Sequence, residues 1–147
     1  MRDQNESDHP IVGTWRLISF TEEDLDTGAV RYPFGKTARA LVIYARNGYV
    51  ATIFTAADRK PPVAATATAQ EAVDLYQTMI AFGGRYELIA NRLVYHPELS
   101  WNELWNGTTQ ERVFEVDGDR LEVRSVPTVS ALTGARTVFS LAWKRAT

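Results

Sequence analysis

The chain contains no cysteine. Disulfides, thiol nucleophiles, iron–sulfur clusters and cysteine-ligated zinc are therefore excluded. Histidine is almost as scarce, with only His9 and His96. His96 and Glu98 alone fall short of the three protein ligands usual for catalytic zinc, so no metal site and no cofactor is expected. Long apolar runs are also missing, and none approaches the roughly 18 residues that a membrane span needs. The first ten residues are polar and lack the apolar stretch of a secretory signal. The expected protein is cytoplasmic and does not enter a membrane. Charge of one sign is not in excess either: 16 Lys and Arg face 18 Asp and Glu, a formal net charge of -2. That balance gives no electrostatic reason to expect nucleic acid or an anionic membrane as a partner. No phosphate-cradling glycine loop is present, and Ser100, Ser125 and Ser140 lack the context of a nucleophile elbow.

What remains is an ordinary globular composition of 147 residues, 45% hydrophobic and 23% charged, enough for one domain with its own core. Residues 1–10 read as a disordered polar leader in which His9 is solvated, and 11–147 as the folded domain. Short alternating segments recur between turns, at about 13–22, 29–32, 39–45, 49–55, 85–89, 92–99, 111–116, 120–126 and 136–144. Asn47-Gly48, Ala90-Asn91 and Asp117-Gly118 mark hairpins, the first as a type I′ turn. One helix is predicted at about 69–82. Thr68 and Glu71 form a capping box, and Ala72, Val73, Tyr76, Met79 and Ile80 share one buried face. Gly83-Gly84 would supply its left-handed end. The fold class is all-β: an antiparallel up-and-down barrel of about eight to nine strands with a single α-helix, which would plug one mouth or act as a lid. Eight strands enclose room for one small ligand.

Strand parity sorts the side chains. Arg120, Glu122 and Arg124 mark an outer face, which sends Leu121, Val123 and Ser125 inward. Glu111 and Glu115 likewise send Gln110, Arg112, Phe114 and Val116 inward, and Arg85 and Glu87 send in Tyr86 and Leu88. On the segment from Arg92, hydrophobicity alone would bury Leu93, Tyr95, Pro97 and Leu99. An inward Arg112, however, needs acceptors. The reading taken is therefore an inward His96–Glu98–Arg112–Gln110 cluster, with a bulge or local edge at Pro97, which cannot donate to a ladder.

Several stretches resemble the bacterial lipocalin-like domain family. They are Ile11-Val12-Gly13-Thr14-Trp15-Arg16-Leu17, Tyr32-Pro33-Phe34-Gly35, Ile43-Tyr44 before Asn47-Gly48, and Gly84-Arg85-Tyr86. His96-x-Glu98-x-Ser100, Trp105-x-Gly107, Gln110-x-Arg112 and Gly118-Asp119-Arg120-Leu121 follow in the family's order. The resemblance runs from Ile11 to Arg145 and implies a calycin-type barrel, with Trp15 closing one end under Lys144 or Arg145. The chain departs from the family's pattern at Tyr95, Pro97 and Glu103.

The leading functional expectation is a barrel that binds a small hydrophobic metabolite, polyketide- or terpenoid-like. It would catalyse a cofactor-independent acid–base cyclisation, isomerisation or dehydration. His96 would move the proton, Glu98 would orient it, and Arg112 with Gln110 would hold the substrate's polar end. Tyr44, Tyr86, Phe114, Trp101 and Trp105 complete the expected substrate surface, aromatic rings suiting a flat apolar ligand. The alternative is a non-catalytic binding or carrier protein in which the same groups only anchor the ligand. The expected partner is that small molecule, with a homodimer as the oligomer the sequence leaves open.

Overall fold

A computed structural model describes residues 9–130 and 134–147. The expected leader thus lies outside the described residues, apart from His9 and Pro10. The strands are β1 (Gly13–Asp24), β2 (Val30–Arg31), β3 (Arg39–Tyr44), β4 (Tyr49–Thr55), β5 (Met79–Ile89), β6 (Arg92–Ser100), β7 (Gln110–Asp117), β8 (Arg120–Ser125), β9 (Thr128–Val129) and β10 (Arg136–Arg145). All pairings are antiparallel. Sequential neighbours pair from β3 through β8, and β10 joins β8 to β1, which in turn joins β3. Eight strands therefore close into a barrel, with β2 and β9 as short additions at its rim. Closure leaves no long edge strand among the described residues.

Alternation along each strand sets the core. On β8, Leu121, Val123 and Ser125 are buried while Arg120, Glu122 and Arg124 are exposed. Tyr86 on β5 is buried between exposed Arg85 and Glu87. One end of the barrel is closed by Trp15, fully buried, whose indole N–H donates to the Ile11 carbonyl at 2.9 Å. The Arg145 guanidinium lies 4.2 Å from the Trp15 ring and donates to the carbonyls of Val12 and Pro10. Gly13 adopts φ +136°, and a Cβ there would sit 2.9 Å from the Arg145 Nη1. The Gly-x-Trp pattern thus gives the incoming chain a backbone conformation that other residues rarely adopt, beneath the sealing arginine. His9 belongs to this seal, not to a solvated leader. Its Nδ1 accepts from the Ile11 N–H at 3.1 Å and its ring meets Phe114 edge-on at 5.8 Å. Burial lowers its pKa below the ordinary histidine value.

The helix differs from expectation. Helix α1 spans Ala69–Gln77 and has no buried residue; the Thr68–Glu71 capping box forms as read. Thr78 ends it, its hydroxyl donating to the Asp74 carbonyl, while Arg59 takes the Leu75 carbonyl. Met79 to Phe82 then pair with Thr55 to Thr52, so the β-ladder captures residues whose local spacing reads as helical. Gly83-Gly84 consequently lies inside a strand and caps nothing. The turn after β3 also differs. Ala45 and Tyr49 close a loop of Arg46, Asn47 and Gly48, in which only Gly48 has positive φ. That is a longer loop than the type I′ pair requires.

A bulge occurs beside Pro97. Gly83 faces Leu99 and Gly84 faces Pro97, leaving Glu98 as the extra residue of β6. At Gly84 the strands approach so closely that a Cβ would stand 2.1 Å from the His96 carbonyl oxygen. Only glycine fits there.

Candidate ligand cavity

Chain direction places the 45–48, 90–91 and 118–119 turns at the sealed end, with the 25–38, 56–78 and 101–109 connections and residues 126–130 and 134–135 at the other. The lumen opens toward this second group through a cavity of about 570 Å³. Its wall is strongly aromatic. Phe20 meets Phe34, Phe54 and Phe139 with ring centroids 5.7 to 5.8 Å apart. Phe54 meets Trp143 at 5.5 Å, and Phe82 meets Tyr95 at 5.2 Å and Trp105 at 5.7 Å. Another hollow, of about 450 Å³, lies between the 57–63 loop and α1, lined largely by charged surface groups such as Asp58, Arg59, Lys60 and Asp74. It has no comparable apolar wall.

The cation of the lining and its nearest polar neighbours come from β6, β7 and β8, while Thr52, Thr109, Thr128 and Ser130 add further polar groups elsewhere on the wall. Tyr95 stands opposite Gln110, and Arg112 lies between Leu93 and Ser125. Paired residues of antiparallel strands project to one side, so register brings Tyr95, Gln110, Arg112 and Ser125 to the cavity together. The Arg112 Nη1 donates to the Glu111 carbonyl at 2.9 Å, and its guanidinium carbon lies 6.0 Å from the Tyr95 ring centre. Burial lowers its pKa from the ordinary guanidinium value, opposed by Tyr95 and Tyr44. The group still carries its charge at neutral pH. The residue is half-buried and lines the cavity.

Behind Tyr95 lies Tyr44, 1% exposed, with the two hydroxyl oxygens 2.6 Å apart. Burial raises both phenol pKa values, that of Tyr44 strongly, so both hydroxyls stay protonated near neutrality. Gln110 donates to the Thr108 hydroxyl, which itself donates to the Trp105 carbonyl. Those bonds fix the orientation of the amide.

The expected inward quartet is only half present. Gln110 and Arg112 line the cavity, whereas His96 and Glu98 stand on the outside of the barrel. The His96 Nε2 lies 2.7 Å from Glu87 Oε2, with the imidazole side chain 38% exposed. Glu98 is the exposed bulge residue. The odd face of β6, with Leu93, Tyr95 and Pro97, is the buried one. Arg112 does not draw His96 and Glu98 inward: a backbone carbonyl, a ring face and the open cavity surround its guanidinium, and no carboxylate of the described residues pairs with it.

Of the expected substrate surface, Trp105 lines the cavity and Trp101 packs on it from behind at 5.1 Å. Tyr44 and Tyr86 are buried outside the cavity lining, Tyr86 donating to the Ala45 carbonyl. Phe114 packs toward His9 at the sealed end. Tyr95, Phe20, Phe54, Phe82 and Ser125 line the lumen without having been assigned to the site. The signal for Tyr95 is the hydrophobic odd face of β6, and that for Phe82 lies in the pairing of Met79 to Phe82 with β4. Helix α1 contributes no residue to the lining, so it neither plugs nor roofs the lumen. Among the described residues no cluster of three His, Asp or Glu side chains is arranged to hold a metal ion. None of the helices described is long and apolar enough to cross a membrane.

A closed eight-stranded barrel, sealed at one end and hollow with aromatic walls at the other, defines a lipocalin-like barrel suited to a small hydrophobic ligand. The family described as lipocalin-like domain matches residues 12–146, and the chain belongs to it. No curated protein matches the chain significantly.

Proposed function

We propose that the protein is a binding or carrier barrel for a small hydrophobic metabolite of polyketide or terpenoid type, with Arg112 and Gln110 holding the ligand's polar end. The observation carrying this reading is the cavity of about 570 Å³, bounded by Phe20, Phe54, Phe82 and Trp105, with Arg112 as the one cation of its lining. That volume lies within the range of small-molecule sites, and an aromatic wall with few placed polar groups is their usual chemistry. Acid–base cyclisation, isomerisation or dehydration would lack the His96–Glu98 pair, because both residues face outward. No observation favours that chemistry over binding alone.

The test is a titration of the wild-type protein with N-phenyl-1-naphthylamine, a neutral aromatic probe that brightens in apolar surroundings. Saturable binding near one probe per chain is expected. The substitution Leu141→Trp, which fills the lumen, should weaken it at least tenfold while circular dichroism retains the barrel. Absence of saturable binding, or undiminished binding by the filled variant, overturns the assignment.

A further inference from the structure

We infer that the ligand is a carboxylate, its charged head held by Arg112, Ser125 and Tyr95 and its apolar body lying against the aromatic wall. The inference rests on the binding reading above and specifies its ligand class. It comes from an accounting of charges and protons in the lumen.

Arg112 brings a full positive charge to the cavity wall, and no carboxylate of the described residues pairs with it. Glu111, its neighbour on β7, turns its side chain outward to Arg92 at 3.6 Å and offers Arg112 only its carbonyl. Glu22, the buried carboxylate, is held by both the Nε and Nη2 of Arg31 at 3.3 Å. Of the five N–H groups of a guanidinium, that of Arg112 spends one on the Glu111 carbonyl. A cation partly withdrawn from water with most of its donors unspent is costly unless something negative completes it.

The neighbouring hydroxyls point the same way. Ser125 stands directly opposite Arg112, and its oxygen accepts from the Phe139 N–H at 2.9 Å. Among the described residues nothing accepts its own proton, which is thus free for the lumen. The Tyr44–Tyr95 pair holds two phenol protons and shares one hydrogen bond. Tyr44 is sealed away from the cavity whereas Tyr95 lines it. When Tyr44 donates to Tyr95, the Tyr95 proton is directed to the cavity and no buried proton is wasted, which makes this the favoured direction. Gln110 adds one free N–H and its carbonyl oxygen. The wall therefore offers one cation and several donors grouped together, and the one acidic residue of its lining, Glu111, has its carboxylate paired with Arg92 instead. A planar carboxylate suits this set because a guanidinium grips its two oxygens side by side.

The test compares two probes with the same body, 2-naphthoate and methyl 2-naphthoate, through quenching of the tryptophans at the lumen. Wild type should bind the carboxylate about tenfold or more tightly than the ester, a charge-assisted bond in a secluded site exceeding the ester's neutral contact. Arg112→Gln should lose carboxylate affinity at least tenfold more than ester affinity, and Arg112→Lys should keep part of the preference. Tyr95→Phe should lower carboxylate binding by a smaller factor. Equal affinities in wild type, or a preference that survives Arg112→Gln, would overturn the carboxylate assignment and leave the hydrophobic cavity intact. Failure of both probes to bind wild type would remove the carboxylate assignment together with the cavity reading beneath it.

Discussion

Gly84 shows how one residue type can be imposed by a neighbour's backbone. Its own φ is not in the left-handed region, so the constraint is space: a Cβ would meet the His96 carbonyl oxygen at 2.1 Å and the Glu98 nitrogen at 2.9 Å. Both are main-chain atoms within the β5–β6 ladder and cannot swing aside as a side chain would. Gly84→Ala should therefore destabilise by about 1–3 kcal/mol, the usual cost of overpacking. Chemical denaturation would read this as a lower midpoint, and an unchanged midpoint would mean that the strands are free to separate there. The inward placement of Gln110 and Arg112 was legible in the sequence, because charged Glu111 and Glu115 alternate with them on β7. That of His96 was not, because parity permits either face and the decision rested on a partner for Arg112. The cation's surroundings on three strands, set by register, are absent from any local pattern.

Elements are set by pairing as much as by their own residues. The stretch from Met79 to Phe82 continues the apolar spacing of α1, yet β4 is seven residues long and takes its ladder partners from there. Ile80 and Phe82 thereby face the lumen, and the helix shortens to its capped first turns. The eight barrel strands, their order and most of their boundaries were legible because alternation and turns are local signals, whereas the two-residue β9 carries too little pattern to be read. The helix end and the loop after β3 were not, because tertiary pairing decides both. The shortened helix is held chiefly by its capping box, the Glu71 bond to the Val63 N–H and the Arg59 bond at its last turn. Val73 and Tyr76, which the helical stripe would have buried, are 46% and 47% exposed. Segments with little buried apolar surface open most easily. Amide hydrogen exchange should accordingly be fastest in 69–77 and slowest in β1, β10 and β8. Protection of the helix equal to that of the barrel would show that its exposed stripe is covered in solution.

At the scale of the whole molecule, the barrel divides its work between its ends. The sealed end concentrates Ile11, Trp15, Leu93 and Leu121, all fully buried, and there the core is solid. The open end gives up packing for a hollow, and places in its wall a guanidinium that no carboxylate of the described residues neutralises. Such a group lowers the stability of the ligand-free protein in exchange for selectivity toward the ligand, as binding sites commonly do. Removing the charge should then raise stability while it weakens binding. Arg112→Leu keeps apolar bulk beside Leu93 and deletes the uncompensated cation, at the loss of one bond to a carbonyl. Replacing buried charge by packed apolar atoms is often neutral or favourable. The variant is expected to gain about 1 kcal/mol in the ligand-free state, moderated by water in the cavity, and to lose the added stability that 2-naphthoate gives wild type. Thermal unfolding with and without the probe measures both quantities. A ligand-free variant less stable than wild type would mean that Arg112 holds the wall together, and that its charge is already satisfied without a ligand.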